Sequence, residues 1–377
     1  MVRKRRRIVK REALSAFVAG GIAFLLIFAL LYFAPQFCAT TGGKMPADDT
    51  LAVRRARLVF AGDLMQHTTQ INAARTADGS FDYSGSFRYV RDLFGEADVA
   101  VLNFETTLAP CEPYTGYPRF RSPVHIAGAL KDIGIDIVAL ANNHICDNGL
   151  EGISFTLACL DSFGIASTGV FADSAQYRAR HPLRFEANGI RFALLNYTYG
   201  TNGMPVPGKT IVNLIDTTTI AADLARIDGS ETDCIIVFFH WGEEYSRRPD
   251  DGQRNLSAFC RRRGAHIVAG SHPHTIQPLE AHIDADSITR AVTIYSMGNL
   301  VSNQRWRYSD GGLTVALDVE IESDNPPVIR MTPIPVWVLM PGYRILPEQV
   351  ADTIGMSEQQ RAMYRRFVTD THTLPGL

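Results

Sequence analysis

Five short clusters in this 377-residue chain carry side chains that bind cations. They are Gly62-Asp63, Asn103-Phe104-Glu105, Asn142-Asn143-His144, His240-Trp241-Gly242 and Gly270-Ser271-His272-Pro273-His274. The last is the most specific, because two imidazoles spaced His-x-His at the end of an apolar stretch can reach one cation from the same side of a turn. The chemistry this suggests is a metal centre, and with it hydrolysis.

Such a centre needs a scaffold that brings distant segments together. From Arg57 onward, apolar runs of strand length alternate with longer segments of helical period, which predicts an α/β protein. Strands are expected at Leu58–Ala61, Val99–Leu102, Ile135–Leu140, Phe192–Leu195, Cys234–Phe239, Ile267–Ala269 and Val292–Tyr295. Helices are expected at Ser86–Phe94, Ile126–Asp132, Leu150–Phe163, Thr217–Ile227 and Gly252–Arg263. Leu313–Ile321 and Val328–Leu339 alternate cleanly and are expected to pair antiparallel at a sheet edge. Each polar cluster follows a strand directly, so a sheet would deliver all five to its carboxyl edge. Taken singly, the clusters have plainer readings: a helix cap for Asp63, a surface carboxylate for Glu105, turn chemistry for Asn142-Asn143 and a satisfied core imidazole for His240.

The N-terminus is of a different kind. Residues 1–12 hold seven basic side chains against Glu12, a local charge of +6, so the rest of the chain carries −8 of the total −2. A body of that sign disfavours nucleic acid as a partner. Residues 13–34 contain no charged side chain. About twenty apolar residues suffice to cross a bilayer as a helix, and the basic flank predicts a cytoplasmic N-terminus with everything after Pro35 outside the cell membrane. A cleaved signal peptide is the alternative, though no clear Ala-x-Ala site follows. The expected organisation is a basic segment (1–12), a single transmembrane anchor (13–34), a linker (35–56), a large α/β domain (57–345) and a helical tail (346–377). The six cysteines include no Cys-x-x-Cys pair and do not read as a disulfide framework.

Gly62-Asp63-Leu64-Met65, Asn103-Phe104-Glu105-Thr106, Ala141-Asn142-Asn143-His144 with Asp147 and Gly149, His240-Trp241-Gly242 with Glu244-Tyr245, Gly270-Ser271-His272-Pro273-His274 with Gln277, and Ser296-Met297-Gly298-Asn299 resemble, in order and spacing, the bacterial capsule-synthesis CapA family. That family is associated with poly-γ-glutamate and looks like a branch of the calcineurin-like metallophosphoesterases. The resemblance implies a four-layer α-β-β-α sandwich with a metal site at the sheet edge. It also implies metal ligands at Asp63, Glu105, Asn143, His240, His272 and His274, with His144 as proton donor to the leaving group. Carboxylate, amide and imidazole together suit Mn, Fe or Zn. Asn142, Glu244, Tyr245 and Arg247 are expected to contact substrate, and Arg119, Arg121, Arg248, Arg305 and Arg307 lie near the motifs.

One departure bears on the number of ions. Metallophosphoesterases open with Asp-x-His, whereas this chain reads Asp63-Leu64-Met65, with His67 as the nearest imidazole in sequence. A single tightly held ion or an unequal pair is therefore expected. Two functions follow. One is a membrane-anchored, extracytoplasmic hydrolase of capsule synthesis or export, acting on an anionic polymer such as poly-γ-glutamate or on an envelope phosphoester. The other is a non-catalytic polymer-binding or scaffold component beside membrane-embedded capsule synthase subunits.

Overall fold

A computed structural model describes residues 53–323 and 325–377. The expected basic segment and anchor lie outside the described residues, among which no helix is long and apolar enough to cross a membrane.

Two large sheets organise the chain. An eight-stranded sheet runs in the order Arg344–Pro347, Val328–Leu339, Gly311–Glu322, Val53–Leu64, Val99–Phe104, Ile137–Ala139 and Ala166–Thr168, with Asn299–Val301 pairing beside Val53–Leu64. A six-stranded sheet runs Leu279–Ile283, Thr289–Ile294, Ile267–Ser271, Cys234–His240, Ile190–Thr198 and Leu183–Ala187. Strand Val53–Leu64 is parallel to Val99–Phe104, which is parallel to Ile137–Ala139. In the second sheet, Cys234–His240 is parallel to both of its neighbours.

The apolar runs are continuous because both faces of each sheet are buried. Leu58, Phe60, Val99 and Val101 join Phe192, Leu194, Ile236 and Phe238 in one buried cluster, so the sheets face each other. Phe60 and Phe238 stack across that gap with ring centroids 6.2 Å apart. The alternate residues Val59, Ala61, Ala100 and Leu102 face away, against Ile126 and Leu130 of helix His125–Asp132 and Ile153, Leu157 and Leu160 of helix Gly149–Ser162. Val237, Phe239 and Val268 likewise face helices Thr217–Ala225 and Asp251–Arg261 through Ile220, Leu224, Leu256 and Cys260. In the second of these helices Gln253, Leu256, Ser257 and Cys260 are buried, the spacing of one helical face, and the Asp250 side chain caps its start.

Three expectations need correction. The helix expected over Ser86–Phe94 is two short ones, Ser84–Phe87 and Arg91–Gly95. Val90 donates its amide to Phe87 three residues back, and this tight turn lets Phe87, Val90 and Phe94 all reach the core. The late pair is antiparallel but not at the edge, because Arg344–Pro347 adds a further strand outside Val328–Leu339. Helix Glu358–His372 is no appendage: Tyr364 and Phe367 are buried in the cluster between the sheets. The five described cysteines are free, and all but Cys111 are buried.

Candidate metal centre

The parallel strands end at one place. Asp63 is the next-to-last residue of its strand, Glu105 comes directly after Val99–Phe104, Asn143 four residues after Ile137–Ala139, His240 at the end of its strand, and His272 directly after Ile267–Ser271. The first sheet contributes the carboxylates and the amide, the second the imidazoles.

Local backbone aims these side chains. The pairing of Val53–Leu64 with Val99–Phe104 slips by one residue between Ala61 and Asp63, a bulge that re-aims the Asp63 carboxylate. Gly62 at the bulge passes so close to Gly298 that an added Cβ would lie 1.9 Å from its carbonyl oxygen. His272 and His274 have φ of 99° and 56°, a region that side chains other than glycine rarely adopt and that is concentrated at functional sites.

Asn103 is the hub of the cluster. Its amide donates to Asp63 Oδ1 at 2.8 Å and Glu105 Oε2 at 3.3 Å, and lies 3.3 Å from His240 Nδ1. His274 Nδ1 is 2.9 Å from Asp63 Oδ2 and 3.1 Å from Asn299 Oδ1. Both of those are acceptors, so Nδ1 carries a proton, and Nε2 is the nitrogen that can offer a lone pair. Asn143 Oδ1 is 2.9 Å from His240 Nε2, while its Nδ2 donates to Asn202, which fixes the orientation of the amide. Two ligands of one ion at about 2.1 Å and a right angle stand about 3 Å apart.

The observation that tests for a cation is Glu105 Oε1. This oxygen is buried and has no hydrogen-bond partner, yet it lies 3.8 Å from His240 Nε2 and 3.8 Å from His274 Nε2. The distances are too long for hydrogen bonds and suit atoms that share an ion between them. His272 Nδ1 and Asn103 Oδ1 are also buried without partners. Burial pushes Glu105 well above the usual carboxylate range, with Asp63 adding to the rise. Burial also lowers His240 well below its usual value and His272 to about 3. Neutral imidazoles keep lone pairs for a cation, and a divalent ion supplies the positive charge that a buried Glu105 lacks. The donor set fits a divalent transition metal.

Ligand atoms of Asp63, Glu105 and His274 lie within 4.8 Å of one another, as do those of Glu105, His240 and His272. Glu105 belongs to both groups. Met65 is buried, and His67 is not in either group. Its Nδ1 is 3.1 Å from Gln70 Oε1 and accepts the Asn303 amide, and burial lowers its pKa to about 4.

His144 stands beside the cluster with Nδ1 2.8 Å from Asp147 Oδ2 and its ring edge-on to Phe120. With Nδ1 engaged, Nε2 is the nitrogen left for proton transfer.

The four expected substrate contacts divide. Asn142 is wholly buried: its Nδ2 donates to the carbonyls of Phe104 and Leu140, and its Oδ1 accepts the His144 amide. It holds the loop and is not free for substrate. Arg247 donates to the Asp370 carbonyl and lies over the Tyr308 ring at 4.2 Å, so helix Glu358–His372 occupies its guanidinium. Arg121, Arg305 and Arg307 are likewise bonded within the protein. Glu244 and Tyr245 are exposed at the mouth, and Tyr245 OH accepts from Gln304. Sequence reasoning placed Asn103 and Asn299 in its motifs without giving either a role, and it missed Tyr199. The Tyr199 ring lies 4.5 Å from that of His272, and burial followed by Glu244 raises its hydroxyl to about 12. Tyr199 follows the strand Ile190–Thr198 directly, the same position as the other clusters, and this was the signal available.

The sequence profile described as "Bacterial capsule synthesis protein PGA_cap" matches residues 57–304. The PGA biosynthesis protein CapA of Bacillus subtilis is 26% identical over 344 residues, 88% of this chain and 83% of that protein. The capsule biosynthesis protein CapA of Bacillus anthracis is 28% identical over 247 residues, 60% of this chain and 56% of that one. A probable polyglutamine synthesis accessory protein of Mycobacterium tuberculosis is 29% identical over 203 residues, 49% of this chain and 52% of its own length. The chain therefore spans most of the first relative and about half of the other two. Among solved structures, a novel phosphatase of Mycoplasma pneumoniae superposes with a TM-score of 0.43 at 15% identity, over 76% of this chain and 95% of that one. NAD nucleotidase of Haemophilus influenzae gives 0.46 at 11% identity, over 85% and 61%. The profile covers all five clusters and the Ser296-Met297-Gly298-Asn299 turn, and the chain belongs to this family of bacterial capsule synthesis proteins.

Proposed function

We propose that this chain is a membrane-anchored, extracytoplasmic component of capsule synthesis or export that hydrolyses an anionic envelope polymer at a divalent metal centre. The observation that carries the reading is the unpartnered Glu105 Oε1, 3.8 Å from the Nε2 atoms of both His240 and His274. The metallophosphoesterase-like arrangement is supported by two facing sheets whose parallel strands end at that point. The anchor rests on the uncharged stretch 13–34 behind seven basic residues. The polymer is read from the names of the relatives, two of which are capsule or PGA biosynthesis proteins.

Asp63, Glu105, Asn143, His240, His272 and His274 would hold Mn, Fe or Zn. When bound, such an ion lowers the pKa of a coordinated water and polarises the scissile group. The chain's own contribution is positional. Asn103 orients both carboxylates through one amide. Asp147 fixes the His144 ring so that Nε2 gives a proton to the departing atom. Tyr199 and Tyr245 flank the imidazoles and shield the entrance.

Full-length protein in detergent, supplied with Mn2+, is the test. Incubation with poly-γ-glutamate and with a generic phosphomonoester is expected to release shortened polymer or phosphate, and His144→Ala is expected to slow that release by about 100-fold or more. Retention of polymer with no cleavage of either substrate by the metal-loaded protein would favour the scaffold reading instead.

A further inference from the structure

The two ligand groups that share Glu105 are not equivalent. The Glu105–His240–His272 group has a fourth donor in Asn143, whose Oδ1 stands 2.9 Å from His240 Nε2. In the Asp63–Glu105–His274 group the nearby amide, Asn299, has its Oδ1 3.1 Å from His274 Nδ1 and not on the Nε2 side that faces Glu105, and Met65 offers only a thioether, a soft donor. A divalent ion held by three residues alone keeps open positions that a nearby carboxylate can fill.

Glu244 is the carboxylate in place. One of its oxygens lies within 4.8 Å of ligand nitrogens on both His272 and His274, which are themselves within that distance of each other. Among the described residues, its carboxylate makes no hydrogen bond and no ion pair, and His272 Nδ1 is buried without a partner. The loop that carries Glu244 is fastened to the histidine turn on its far side. The Tyr245 amide donates to the Pro273 carbonyl at 2.8 Å, and the Ser246 carbonyl accepts from Thr275 Oγ1 at 2.8 Å and Gln277 Nε2 at 3.0 Å. Before it, Gly242 has φ of +86°, and a Cβ there would meet Gln253 at 2.7 Å. Loop and histidines are thus set in one rigid turn, with a charged side chain left free to face the ions.

We propose that Glu244 is a metal ligand, the carboxylate that joins His274, beside His272, in holding the less enclosed ion. The assignment rests on the metal-dependent reading above. It makes the centre a pair of ions of unequal exposure, one enclosed by Asn143 and His240 and one closed from the mouth of the site by Glu244.

The test uses the full-length protein stripped with chelator and titrated with Mn2+ alone, followed by calorimetry and by the electron paramagnetic resonance of free Mn2+. Glu244→Gln is expected to weaken by about tenfold or more the same binding step that His274→Ala weakens, and to leave the step that Asn143→Ala weakens unchanged. Glu244→Asp is expected to fall between Glu244→Gln and the wild type. Identical Mn2+ binding by Glu244→Gln and the wild type overturns the assignment while leaving the metal centre intact. No Mn2+ uptake by the wild type overturns the metal reading itself, and this assignment with it. Glu244 is exposed, and thermal unfolding of the stripped variants reports the fold independently of the ions.

Discussion

Oδ2 of Asp147 stands 2.8 Å from Nδ1 of His144 and accepts the Phe120 amide at 2.7 Å, so one carboxylate oxygen ties the imidazole to the loop that packs edge-on against it. Both side chains are almost wholly buried, which removes competition from water for this contact. The pair sets which nitrogen of His144 is available for chemistry.

That relationship separates catalysis from metal binding. His144→Ala is expected to lower the hydrolytic rate by about 100- to 10,000-fold, and Asp147→Asn by about one to two orders of magnitude. Elemental analysis of both variants is expected to show the metal content of the wild type. A parallel loss of metal would make His144 a ligand.

Gly62→Ala tests the bulge that aims Asp63. The added Cβ would lie 1.9 Å from the Gly298 carbonyl oxygen, a backbone group that cannot swing aside as a side chain can. A loss of about 1–3 kcal/mol in stability is expected, together with weaker metal retention. Chemical denaturation and metal content, measured on the same preparation, check both.

Phe367→Ala tests whether the C-terminal helix belongs to the domain. Phe367 is buried between the sheets, close against Gly311, and its removal is expected to cost about 3 kcal/mol. An unchanged midpoint of unfolding would show that the helix is a separate tail.

The pH dependence of stability has one clear contributor far from the site. Arg191 beside Asp233, with Arg54 nearby, holds that carboxyl down at about 2. A carboxyl depressed in the folded state stabilises above the ordinary carboxylate range, and the contribution is lost as pH falls from about 4 through about 2. Asp233→Asn is expected to be less stable at pH 7 and to lose less on acidification over that window. Thermal unfolding from pH 7 to pH 2 measures the difference.

What could be read in the sequence is what depends on strand periodicity. The positions of Asp63, Glu105, Asn143, His240 and His272 follow from where apolar runs stop, and the sheets place them as that rule requires. What could not be read is partnership. Asn142 looks like a site residue by its type and position, yet the carbonyls of Phe104 and Leu140 use its amide. Arg247 looks like an anion clamp, but its partners Tyr308 and Asp370 lie 61 and 123 residues away in sequence. Asn103 stands in one of the five clusters with no role legible there, and only the meeting of the two sheets makes it the hub of the site. Short strands such as Thr107–Ala109 and Asn299–Val301 carry too few residues to show a period.

The central claim is that six side chains from two sheets hold a transition metal. Elemental analysis of full-length protein purified without added metal, beside the double variant His272→Ala/His274→Ala, tests it most directly. The account predicts one to two ions of Mn, Fe or Zn per chain in the wild type and their loss in the variant. A wild type without transition metal, or a variant that retains the same content, would contradict it.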